Sequence, residues 1–195
     1  NKYFRIRAAE SKNLTGSMSQ KVIIGKLLRG FSITIGIALI SIVLGFILAI
    51  PCGLLLTYRK GVLFVPSIII RTIVDFLRGT PVLIQLLFVW MGLGLSPYIA
   101  AVTTLGINTM AYMAEVIRAG LMSVEPGQAR AAQALGLSKF QRFRFVIWPQ
   151  AFRIAVPPLM NSVVALTKDT ALISIISIPE VIREAQSIIS VTFEP

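Results

Sequence analysis

Apolar residues in this chain come in long uninterrupted blocks, not in the short alternations of a half-buried sheet. Between Arg29 and Arg59 no charged residue occurs, and the 29-residue tract GFSITIGIALISIVLGFILAIPCGLLLTY exceeds the roughly 20 residues that carry a helix across a bilayer. It predicts a first spanning helix over 30–58, with Pro51 and Gly53 near its end, where neighbouring helices can accommodate a kink. A short RKG turn at 59–61 reverses the chain. A second uncharged tract of 36 residues, 79–114, is too long for one span and is interrupted by MGLGLSP at 91–97. It divides into the end of a second helix, about 63–90, and most of a third, about 97–122. A fourth apolar segment runs from Pro149 through IAVPPLMNSVVAL to Lys168. Beyond it, IPEVIREAQSIISVTF carries a charge every few residues and predicts an amphipathic helix lying in the membrane interface. The expected fold is therefore an all-α polytopic bundle: a basic tail (1–29), then a transmembrane domain (30–195) of about four spans with a loop at 123–149.

Composition narrows the class. The chain is 55% hydrophobic and 14% charged, with mean hydropathy +0.81, a combination outside the range of soluble domains. Its net charge of +11 then reads as loops facing an anionic lipid surface, and no nucleic-acid partner is expected. Cys52 is the only cysteine and histidine is absent, which removes internal disulfides, zinc clusters and His-based nucleophilic triads; no catalytic or metal site is expected. The segment before Gly30 is polar and basic without a short apolar core, so no cleavable signal is expected there, and a chain starting at Asn1 is expected to lack its upstream portion.

Basic loops stay in the cytoplasm. YRK, and the Arg118 to Arg153 stretch with its six basic residues, therefore both face inward, joined through two spans and an outer turn at GLGLSP. The tail's seven basic residues would lie outside on this count; the two loops decide the orientation. The inner loop is itself patterned. Pro126 suits a helix start, an alanine-rich run reaches Leu135, and Gly136 stands where a helix ends in a residue of positive φ. Ser138 and Gln141 then form a capping-box pair, with Phe140, Phe143 and Ile147 recurring on one face of a second helix that leaves at an angle. Small residues Ala129, Ala131, Ala132 and Ala134 would let a partner's backbone approach closely.

In this loop the chain resembles the transmembrane permease subunits of bacterial binding-protein-dependent ABC importers. Their signature is E-A-A, three residues, G, nine residues, I-x-L-P; Ala131-Ala132, Gly136, Val146 and Trp148-Pro149 stand at those spacings, while Arg130 reverses the charge of the family's glutamate. FLRGTPVLIQLLF (76–88), NTMAYMAEVIRAGLMSVEPGQ (108–128) and LTKDTALISIISIPE (166–180) are similar to passages of the polar amino-acid uptake subgroup. The resemblance implies a coupling helix formed by Gln128, Ala129, Arg130, Ala131, Ala132, Ala134, Leu135, Gly136 and Leu137, docked on a cytoplasmic ATPase. It implies two such ATPase subunits, a second permease subunit, identical or homologous, an extracytoplasmic solute-binding protein, and one more spanning helix after Pro195. No G-x-x-x-x-G-K-[ST] loop is present, so ATP and Mg would belong to the partner and no cofactor to this chain.

Ionisable and amide residues at membrane depth are candidates for the solute path. Thr104, Asn108, Tyr112, Glu115 and Arg118 share one face of the third helix. Their alternative use is interhelical hydrogen bonding with a Glu115–Arg118 pair at the inner interface. DFLRGTP sets Asp75, Arg78 and Thr80 at a helix break, for which a structural kink is the favoured alternative, and TKDT sets Lys168 with Asp169 near the outer end of the fourth helix, where snorkelling to headgroups is the alternative. An amino acid carries both charges. Arg78 or Lys168 would meet its carboxylate, and Glu115 or Asp169 its ammonium. A different class, an ATP-independent pore-forming channel lined by the same polar stripe, is the competing expectation.

Overall fold

In the computed structural model, residues 20–58 and 61–192 are described, and they are helical with no strand among them. The expectations for the tail before Gln20, for Arg59 and Lys60 in the turn, and for a helix after Pro195 lie outside the described residues.

Helix α1 (Gln20–Thr57) is 38 residues long, about 57 Å at 1.5 Å per residue. It starts ten residues before the predicted boundary, because hydropathy marks where lipid begins, whereas backbone hydrogen bonding continues into water through Lys21, Lys26 and Arg29, all good helix formers. Pro51 sits inside it without ending it. A 3₁₀ turn (Gly61–Leu63) leads into α2 (Phe64–Gly79). The predicted second span is divided here. Thr80 and Pro81 are extended, and the chain restarts as α3 (Val82–Leu87), running on into a π turn (Phe88–Gly92). The physical cause is Pro81, whose ring disfavours helical dihedrals at Thr80 and which has no N–H to continue the ladder.

Helix α4 (Pro97–Met122) forms the centre of the bundle. It runs parallel to α1 at backbone contact: a Cβ on Gly45 would stand 2.9 Å from the Gly106 carbonyl oxygen, and one on Gly53 2.9 Å from that of Ala114. Eight residues separate the two contacts on each helix, so the pair keeps one register over more than two turns. Close packing of small residues is how helices associate where no water drives them together.

After α4 come α5 (Pro126–Ala134) and α6 (Lys139–Arg142), a π turn (Phe143–Ile147), α7 (Trp148–Asp169) and a 3₁₀ stretch (Thr170–Ile176). Here too an expectation is corrected. The second loop helix and the fourth apolar segment form one helical run, because the wide π turn delivers the chain to Pro149 at the first turn of α7, where a missing N–H costs nothing. Lys139–Ile176 and Gln20–Thr57 are the two runs long and apolar enough to cross a bilayer by length and hydropathy among the described residues. The predicted third span is helical as α4, but α4 is largely buried among its neighbours and is not one of these two runs. Helix α8 (Val181–Thr192) is the expected amphipathic helix. Its start is docked on α1, with the Val181 N–H donating to Thr34 Oγ1 at 3.2 Å.

Two apolar clusters fill the bundle. One gathers Leu56, Val74, Met113, Ile117, Ala155 and Leu159; the other gathers Ile37, Leu86, Ala101, Leu105, Leu166 and Ile173. Between them, residues 78–82 at the α2–α3 break, 108–109 on α4 and Asn161, Ser162 and Ala165 on α7 are mostly polar or small, and they bound the cavity described next.

Candidate solute cavity and loop platform

The break between α2 and α3 frees carbonyls that a bilayer cannot hydrate, and those of Phe76, Leu77, Arg78 and Thr80 find side-chain donors. Gln85, one turn into α3, donates its amide to the carbonyl oxygens of Leu77 (2.8 Å) and Thr80 (3.1 Å) and to Thr80 Oγ1 (2.8 Å). From α4, Asn108 donates to Gln85 Oε1 at 3.2 Å and to the Leu77 carbonyl at 3.4 Å. Tyr112 donates its hydroxyl to the Arg78 carbonyl at 3.3 Å. These bonds hold an extended dipeptide open at membrane depth.

Beside the break lies a cavity of about 630 Å³, lined by Arg78, Thr80, Asn108, Tyr112 and Asp169 together with Asn161 and Ser162 of α7. The Arg78 guanidinium lies 5.4 Å from the Tyr112 ring centroid, a cation–π contact that positions the charge. No carboxylate pairs with Arg78, and no cation pairs with Asp169, among the described residues. The cavity therefore presents one positive and one negative group, neither in a direct ion pair, on a ring of amide and hydroxyl donors and acceptors, with Arg78 also within the field of Glu115.

Other predicted path residues are placed elsewhere. Glu115 is engaged in a chain of charges, accepting from Arg118 Nε (3.0 Å) and Arg71 Nη1 (3.2 Å), while Arg71 Nε also donates to Asp75 Oδ2 at 2.8 Å. This series of ion pairs binds α2 to α4 on the side of the cavity toward the 123–149 loop. Lys168 is exposed and does not line it. Thr104 is buried one turn outward of Asn108, its Oγ1 without a hydrogen-bond partner. Sequence reasoning missed Arg71, Gln85, Asn161 and Ser162. The signal for Arg71 was available: Arg71, Asp75 and Arg78 follow at i, i+4 and i+7 and mark one polar stripe on α2. Gln85 stood in an apolar run with nothing to distinguish it.

At the inner end, Glu125 and Pro126 open α5 and its termination has full Schellman geometry: Leu137 N–H donates to the Ala132 carbonyl (3.1 Å), Gly136 N–H to that of Gln133 (3.0 Å), and Gly136 has φ +79°. The helix covers 126–134 and not 128–137, because Pro126 begins it two residues earlier and the left-handed Gly136 stops it. Ser138 and Gln141 form the capping box, with Ser138 N–H to Gln141 Oε1 at 2.8 Å and Gln141 N–H to Ser138 Oγ at 3.3 Å. Arg142 ties the two helices by donating to Gln133 Oε1 at 2.8 Å. Of the small residues, Ala132 is buried against the chain's own helices, so it cannot meet a partner directly; Arg130, Ala131, Ala134 and Leu135 are exposed. Gln128 is exposed, whereas Ala129 and Leu137 are half-buried.

Comparison with known proteins gives concordant matches. The family model described as "Binding-protein-dependent transport system inner membrane component" matches residues 41–193. A nopaline transport system permease protein of Agrobacterium fabrum is 35% identical over 185 residues, covering 87% of this chain and 76% of the relative. A probable glutamine ABC transporter permease protein of Bacillus subtilis is 38% identical over 164 residues, with coverages of 82% and 74%. Among solved structures, an amino acid ABC transporter crystallised with histidines superposes with TM-score 0.79 at 31% identity, over 88% of this chain and 81% of that one.

Proposed function

Since the chain belongs to the family of binding-protein-dependent transport system inner membrane components, as a permease subunit of a polar amino-acid ABC importer, we propose that a zwitterionic amino acid passes through the cavity at the α2–α3 break. The observation that carries this reading is that Arg78 and Asp169, neither in an ion pair among the described residues, line one cavity. Arg78 meets the α-carboxylate and Asp169 the α-ammonium. Asn108, Asn161 and Ser162 supply neutral hydrogen-bonding groups for a polar side chain, in keeping with relatives named for glutamine, nopaline and arginine. A site built from two charges of opposite sign is fully answered only by a solute that carries both, which selects amino acids over simple ions.

Transport then requires the cavity to open to each side in turn. The chain pairs with a second permease subunit in the inner membrane, a binding protein delivers solute at the outer face, and two cytoplasmic ATPase subunits bind ATP and Mg. Their closure pushes on the α5–α6 platform, whose caps and Arg142–Gln133 tie let it move as one rigid element. Movement reaches the cavity through α4 and α7, which flank the platform on either side in the chain and both line the cavity. The bundle switches between discrete packings because close-packed interfaces are bistable and not continuously deformable.

The deciding experiment uses the full-length chain assembled with its ATPase and binding protein in liposomes. Uptake of radiolabelled glutamine or arginine should require ATP, and Arg78→Gln and Asp169→Asn should each raise KM at least tenfold. Nucleotide-independent flux would replace this reading with a channel; unchanged KM in both variants would remove the cavity from the path.

A further inference from the structure

At the opposite, inner end of α1 the bundle has a second concavity that the importer reading leaves without a role. It is an apolar groove of about 500 Å³ between the end of α1 (Leu54, Tyr58) and the α6 to π-turn segment (Phe143, Ile147). A smaller recess continues it past Leu54 to Ile50 and Trp148. Ile50, Leu54 and Tyr58, the residue just after α1, follow at four-residue intervals, so this wall is one stripe about 12 Å long within the uncharged tract. Lys139, Arg142 and Arg144 stand on the rim, and among the described residues no acidic side chain lines either part. Arg142 Nε is buried without a hydrogen-bond partner, although the same guanidinium ties Gln133.

We propose that this groove binds an anionic phospholipid of the cytoplasmic leaflet, its phosphate on Lys139, Arg142 and Arg144 and the upper part of an acyl chain along Ile50 and Leu54. The inference rests on the inward placement of the loop. Charge and position select the occupant together. A soluble partner reaches the rim but not a wall that lies at hydrocarbon depth, and a zwitterionic lipid leaves three cations only partly answered, whereas a lipid with net negative charge fills both halves of the site. Ala129 of α5 lines the same groove, so the lipid sits directly behind the platform helix and stiffens its seat on the membrane.

The test uses tryptophan fluorescence in the full-length chain. Trp148 lines the groove, and Trp90→Phe leaves it the only tryptophan between residues 1 and 195. The chain is reconstituted in phosphatidylcholine vesicles carrying an equal small fraction of brominated phosphatidylglycerol or brominated phosphatidylcholine. Brominated phosphatidylglycerol should quench Trp148 more strongly; Lys139→Gln and Arg144→Gln should each lower that preference about fivefold; Arg153→Gln, outside the groove, should leave it intact. Equal quenching by the two lipids would overturn the proposal, as would an equal loss of preference in Arg153→Gln, which would make the attraction a diffuse surface property. No ATPase, nucleotide or solute is involved, so a failure here and a failure of coupled uptake are read separately.

Discussion

Replacing Gln85 by leucine tests whether the polar clasp at the α2–α3 break is what keeps the cavity in shape. The substitution nearly conserves volume but removes both amide protons, shared among Leu77 O, Thr80 O and Thr80 Oγ1 at 2.8–3.1 Å, and the acceptor for Asn108 at 3.2 Å. Three effective hydrogen bonds are lost. Interhelical bonds in membranes average roughly 0.6 kcal/mol, giving about 2 kcal/mol as a lower figure. Carbonyls left facing hydrocarbon add a desolvation penalty, which brings the expected loss to about 2–4 kcal/mol. At about 2–4 °C per kcal/mol for a chain of this size, the unfolding midpoint should fall by roughly 4–16 °C. The assay is thermal unfolding of the purified full-length transporter, run as a double-mutant cycle with Asn108→Leu. Because both side chains serve the Leu77 carbonyl and bond each other, their effects should overlap by on the order of 1 kcal/mol. An unchanged midpoint, or strict additivity of the two losses, would refute the clasp.

Three further outcomes follow from the same geometry. Gly45→Ala should destabilise the chain by about 1–3 kcal/mol, since its Cβ would stand 2.9 Å from the Gly106 carbonyl, whereas Gly36→Ala, with nothing within 4 Å, should be neutral or stabilising by up to about 1 kcal/mol; paired thermal unfolding decides. Glu115→Gln should lower the unfolding midpoint by exposing Arg71 to Arg118 repulsion while leaving solute KM unchanged, and Asp169→Asn should do the reverse, so uptake kinetics and unfolding together separate the ion chain from the cavity. Gly136→Val forces a β-branched residue to φ +79°, at a cost of about 1–2 kcal/mol, and should reduce solute-stimulated ATP hydrolysis while the subunits still assemble, as read by co-purification and phosphate release.

The loop platform was the most legible part of the molecule. Pro126, Gly136, Ser138 and Gln141 each act on the backbone within a few residues of themselves, so their spacing already states where one helix ends and the next begins. Spans were legible for a related reason: a bilayer asks for a length of apolar chain, which is a one-dimensional quantity. The limits of that reasoning show at α1, which outruns its apolar tract, and at Thr80-Pro81, where a hydropathy average passes over a break that one proline imposes. Glycines told less: Gly30 and Gly45 make close backbone contacts and Gly36 makes none, although all three look alike in the sequence.

What the sequence determined by itself, then, was the class of molecule, the helix stop and restart within the 123–149 loop, and the set of charges awaiting a partner. What the tertiary structure decided was which charges are spent and which are free. Arg78 and Asp169 are 91 positions apart and meet at one cavity, while Glu115, equally plausible in the sequence, is consumed by Arg71 and Arg118. Adjacent Lys168 and Asp169 point to different surroundings because neighbouring residues on a helix diverge by about 100°. Sequence lists the ionisable groups; only the rotation and register of packed helices determine whether a charge finds its counter-ion within the fold or must wait for a ligand.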